Sequence, residues 1–170
     1  QNISGGVPDD LESMVIDLLG QSGTDICDLN DIYVSEAHTS GNPEDYIEIY
    51  NSGENNCSLE GFKLDNNQEM TDLIFENILI SAGGYWLGYK GSNSSFSFDL
   101  NSVGDEIWLS DPLGNTKVIT LSASVELNDI QLSQSFSSDG GGCYTAPTPG
   151  ENNADCITLE IDVQNTLPQN

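Results

Sequence analysis

The chain has 170 residues, with 3 Lys plus Arg against 28 Asp plus Glu and a formal net charge of −25. Phosphate contacts need a basic surface, so this charge argues against nucleic-acid binding and against docking on anionic lipid. No apolar run approaches the roughly 18 residues of a membrane span, and the length suffices for one domain with a real core.

In chain order, residues 1–7 read as a leader. Residues 8–19, PDDLESMVIDLL, predict a helix. Leu11, Met14, Val15, Leu18 and Leu19 recur at i, i+3, i+4, i+7 and i+8, which makes one apolar stripe. Pro8 with Asp9, Asp10 and Glu12 suits the helix start, and Gly20 suits its end. The stripe either packs on its own domain or docks on a neighbouring subunit. The chain begins with Gln1 rather than Met, which fits a processed, exported protein.

Two strand-like runs come next, 32–37 and 45–50, around a linker rich in turn-forming residues at 38–44. In the second run Ile47 and Ile49 point one way while Tyr46, Glu48 and Tyr50 point the other, so a half-buried strand of an opening hairpin is predicted. His38, the only histidine, falls in the linker and is expected to be exposed. Further strands are predicted at 58–65, 73–80, 85–90, 96–100, 106–110, 117–121 and 130–136. A DPLGN turn at 111–115 joins two of these. Glycines at 140–142 and a turn at 147–150 form a loop-rich closure, and 157–163, ITLEIDV, carries Ile157, Leu159, Ile161 and Val163 on one face. About ten short strands separated by turns predict an all-β sandwich or barrel. The organisation is a leader and amphipathic helix over 1–30, a sandwich over 31–154 and an extra strand in a C-terminal extension over 155–170.

The four cysteines, Cys27, Cys57, Cys143 and Cys156, lack zinc-site spacing. An even number in an exported chain points to two disulfides, for which three connectivities exist. If the first hairpin is antiparallel, Cys27 and Cys57 meet at its open end. Cys143 and Cys156 flank the 147–150 turn. The expected pairs are therefore 27–57 and 143–156.

No catalytic set is visible. One histidine with no nucleophile elbow does not make a triad, and neither a phosphate-binding loop nor a dinucleotide fingerprint is present. No cofactor is expected, apart from Ca²⁺, to which Asp25, Asp28 and Asp31 could supply oxygens without EF-hand spacing. Tyr85, Trp86 and Tyr89 make either an aromatic patch or part of the core.

The segments VSEA (34–37), DYIEIYN (45–51), SLEGFKLD (58–65), ISAGGYWLG (80–88), SVGDEIWLSDPLGN (102–115) and TAPTPGENN (145–153) occur in an order that resembles the lamin tail domain. This resemblance covers about 31–153 and implies an immunoglobulin-like β-sandwich. It is closer to the bacterial secreted type, because no coiled-coil heptads precede it. Within it, Glu48 is expected to accept hydrogen bonds from a loop backbone and Asn51 to close a turn through its side chain. The function expected is a non-catalytic extracellular or cell-surface module. Its partner is protein, through self-association into a filament or through a surface complex, with the helix stripe and the 157–163 strand as binding elements. An accessory domain of a larger secreted hydrolase or nuclease, and a Ca²⁺-dependent adhesion domain, are the alternatives.

Overall fold

The structure, a computed structural model, describes residues 25–39, 41 and 43–159. The predicted helix at 8–19 and residues 160–163 lie outside them. Residues 157–159 lie within them and carry no strand.

Thirteen strands are present among the described residues: β1 (Ile32–His38), β2 (Tyr46–Asn51), β3 (Cys57–Ser58), β4 (Lys63–Asp65), β5 (Leu73–Ile74), β6 (Leu79–Ile80), β7 (Tyr85–Tyr89), β8 (Asp105–Ser110), β9 (Thr116–Leu121), β10 (Glu126–Leu127), β11 (Ile130–Gln131), β12 (Ser133–Phe136) and β13 (Gly142–Thr145). A five-stranded sheet, β13-β12-β1-β2-β7, and a four-stranded sheet, β5-β4-β8-β9, form the sandwich. All ladders are antiparallel. The core between the sheets joins Ile32, Val34, Ile47, Ile49 and Trp86 to Phe62, Leu64, Ile107 and Leu109.

The opening hairpin forms as expected, with Ile32 opposite Asn51 and His38 opposite Tyr46. Its second strand is not half-buried, however. Tyr46 and Glu48 are as inaccessible as Ile47 and Ile49, because the outer face of the sheet is itself covered. His38 is also a correction. It ends β1, is fully buried and stacks on Tyr46 with ring centroids 5.5 Å apart.

Other departures share one cause: alternation reports which side of a chain is buried, not whether the chain has a ladder partner. Residues 96–100 alternate in burial, yet form a loop. The single strand predicted over 58–65 breaks at Gly61, whose φ is +77°, and that over 73–80 breaks at Asn77, at +56°. Both values are left-handed and interrupt a ladder. The run 130–136 divides between β11 and β12, and β13 forms where closure loops were expected.

Both disulfides form as expected, Cys27–Cys57 and Cys143–Cys156. The first fixes the entering chain. Cys27 N–H donates to the Ser58 carbonyl and Ser58 N–H to the Asp25 carbonyl, at 2.9 and 2.8 Å. At the far edge of the sandwich the Gln134 amide joins the two sheets. It accepts from Ser122 N–H at 2.7 Å and donates to the Ser122 carbonyl at 2.8 Å.

Candidate functional site

The covered face of the five-stranded sheet begins with a bulge. Val34 pairs with Ile49 and Glu36 with Glu48, so Ser35 is one extra residue in β1. In an unbroken strand Glu36 would share the inward face of Ile32 and Val34. The bulge turns Glu36 outward, beside Glu48, and returns Ala37 to the core.

The ladder registers then line up one row across all five strands: Cys143, Ser135, Glu36, Glu48 and Leu87. Residues 146–156 run over this row as a strap. Thr148 donates its N–H and its hydroxyl to the Glu36 carboxylate, at 3.1 and 3.0 Å. Gly150 N–H donates to Glu48 Oε2 at 2.7 Å, and Ser35 Oγ donates to Oε1 at 2.6 Å. The reversal is tight, with Glu151 N–H donating to the Thr148 carbonyl at 3.0 Å and Gly150 at φ +80°. On the return, Asn152 Oδ1 accepts from the Tyr85 hydroxyl at 2.8 Å and Asn153 Nδ2 donates to the Ser35 carbonyl at 2.9 Å. Cys156 then joins Cys143, where the strap began.

Both carboxylates are inaccessible to solvent. Burial raises the Glu48 carboxyl above its ordinary range and the Glu36 charge adds to this, against the opposing pull of the Ser35 and Gly150 hydrogen bonds. Burial also raises the Tyr46 hydroxyl strongly, and that group pairs with Ser133 Oγ at 2.9 Å. It lowers His38, against the opposing pull of the Gln131 and Glu44 backbone and of the Asp45 and Glu36 carboxylates. A row of tyrosines, Tyr33, Tyr50 and Tyr85, flanks the strap, Tyr33 edge-on to Tyr50 at 5.7 Å and Tyr50 tilted against Tyr85 at 4.9 Å between ring centroids.

Glu48 thus accepts a loop N–H as expected, and Asn51 closes a turn by accepting from Gly53 N–H at 2.9 Å and donating to the Asn55 carbonyl at 2.9 Å. Trp86 belongs to the core, while Tyr85 and Tyr89 lie on the opposite face. Asp25, Asp28 and Asp31 do not come together: among the described residues no group of three or more His, Cys, Asp or Glu could hold a metal ion. Asp28 Oδ1 accepts from Asn30 N–H and Nδ2 instead. Of the expected binding residues, Ile157 donates its N–H to the Tyr144 carbonyl at 2.8 Å, on the outer edge of β13, and Leu159 is exposed. Ile161 and Val163, with Leu11, Met14, Val15, Leu18 and Leu19, lie outside the described residues. Glu36, Thr148 and Asn153 carried no role of their own at the level of sequence; the signals for them were the VSEA (34–37) and TAPTPGENN (145–153) segments of the resemblance, which contain them.

A family model described as Lamin Tail Domain matches residues 28–136. The chain belongs to the lamin tail domain family. Searches of curated proteins and of solved structures find no match. The match confirms the immunoglobulin-like sandwich that the sequence resemblance implied, a fold that generally serves as an interaction domain. It ends at Phe136, the last residue of β12, so β13 and the strap lie beyond the matched part of this lamin tail domain. No helix among the described residues is long and apolar enough to cross a membrane.

Proposed function

We propose that this lamin tail domain is a non-catalytic interaction module outside the cell, a subunit of a surface filament or surface complex that associates through its C-terminal segment. The observation that carries the reading is the route of the chain out of the fold. The strap returns to the edge strand β13, is tied there by Cys143–Cys156, and starts a new hydrogen bond along that edge from Ile157 to Tyr144. From Ile157 the chain runs on as the alternating ITLEIDV, a pattern suited to adding a strand to a neighbour's exposed edge.

The surface chemistry supports this reading. The buried carboxylates are engaged in holding the strap, and all four cysteines are paired, as in an oxidising compartment. A net charge of −25 sets copies apart at long range, yet it is screened within roughly 8 Å in physiological salt, so close assembly is compatible with it. Comparing the full chain with one ending at Cys156 by negative-stain electron microscopy tests the proposal. Assemblies from the full chain alone are expected; identical assemblies from both would rule out the C-terminal segment as the joint.

A further inference from the structure

Where the N-terminal segment joins the sandwich there is an apolar groove of about 570 Å³. Ile26, Leu29, Pro112 and Leu113 line it. Ile26 is 48% exposed and Leu113 89% exposed. Leu113 is not on a loose loop. The Asp111 carboxylate accepts from Leu113 N–H at 2.9 Å, Asn115 N–H at 2.8 Å and Asn115 Nδ2 at 2.7 Å. Asp111 N–H donates to the Asn115 carbonyl at 2.9 Å. The turn therefore holds a large apolar side chain out in water, in a fixed place beside Ile26. Leu113 and Ile26 line one groove, so their exposed surface is contiguous, and contiguous exposed apolar surface marks an interaction site. Asp28 and Asp111 also line it, and both are held by local hydrogen bonds, Asp111 within its own turn and Asp28 with Asn30.

We infer that the occupant of this groove is residues 8–19 of the same chain, lying as an amphipathic helix with Leu11, Met14, Val15, Leu18 and Leu19 against Ile26, Leu29 and Leu113. The N-terminal stretch outside the described residues ends at Thr24, two residues before Ile26 of the groove wall in the sequence. The linker 20–25, GQSGTD, reaches roughly 20 Å at full extension. That is ample for a helix to fold back. A tether this short gives an effective concentration on the order of millimolar, which favours the same chain over a second copy. The acids Asp9, Asp10, Glu12 and Asp17 fall off the apolar stripe and stay in water. This inference does not rest on the assembly reading: it concerns the other end of the chain and a contact within one molecule.

Hydrogen–deuterium exchange of the full chain tests it, because an isolated helix of about 12 residues is marginal in water and gives little protection by itself. Amides of 11–19 are expected to exchange at least about tenfold more slowly than an unstructured peptide, and to lose that protection in Leu113→Asp while β1 and β8 are unchanged. Leu18→Asp, outside the sandwich, is expected to give the same loss. Fast exchange of 11–19 in the unmodified chain would overturn the inference. So would protection that survives both substitutions, or protection that grows with protein concentration and so places the segment on a second copy.

Discussion

Glu36 on β1 and Glu48 on β2 face one another across the hairpin ladder, and each carboxylate accepts a backbone N–H from the same strap, Thr148 for one and Gly150 for the other. Two like charges side by side and buried are costly unless each is hydrogen-bonded. The strap supplies those bonds, and the bulge at Ser35 brings Glu36 to the face where it can receive them.

Removing one latch leaves a strap amide without its acceptor. Glu36→Ala is expected to cost about 1–3 kcal/mol, the usual penalty for an unsatisfied buried donor. Denaturant unfolding measures this, and faster amide exchange at Thr148 locates it.

Glu48 gives a pH signature. Its folded-state carboxyl titrates above the ordinary value of 4.5, so the folded state binds the proton more tightly than the unfolded one. Its contribution is greatest below that ordinary value and is lost as pH rises through the raised value. Glu48→Gln keeps the shape without the charge. It is expected to melt higher than the unmodified protein at pH 7, with the difference closing as pH falls towards 4.5.

His38 runs the other way. Burial holds its charged form down, below the ordinary value of 6.5. Its contribution is complete above that value and is lost as pH falls through the lowered one, because the unfolded chain takes up the proton first. In His38→Phe the loss of melting temperature between pH 7 and pH 5 is expected to be smaller than in the unmodified protein.

The Cys143–Cys156 bridge closes a short span, 13 residues apart in sequence. Replacing both cysteines by serine is expected to cost about 3 kcal/mol by loop-entropy reasoning. The sheets are expected to persist, with exchange rising first at Thr148 and Gly150.

Gly88 is a packing constraint. A Cβ there would stand 2.3 Å from the Trp86 ring and 2.5 Å from Ser95 Oγ. Gly88→Ala is expected to destabilise by about 1–3 kcal/mol, the range for overpacking a core. Trp86 fluorescence is expected to shift with it.

Much of the scaffold was legible in the sequence because its signals are local. The period of two at Tyr46–Tyr50, the DPLGN turn and the cysteine spacing each act within a few residues of themselves. The covered face was legible only in part: the resemblance pointed to Glu48 accepting from a loop backbone, but not to which loop. Gly150 and Glu48 are 102 residues apart, and no periodicity reports a contact of that range. The bulge hid Glu36 as well, since plain alternation places it inward with Ile32 and Val34. His38 was misplaced because the residues after it favour turns, whereas pairing with Tyr46 extends β1 to include it.

The most direct measurement is the mass of the full chain in solution, by light scattering across a range of concentrations at physiological ionic strength. An interaction module that joins copies through the segment after Cys156 predicts a mass rising above the 18.3 kDa of one chain as concentration increases, and a constant 18.3 kDa would contradict it.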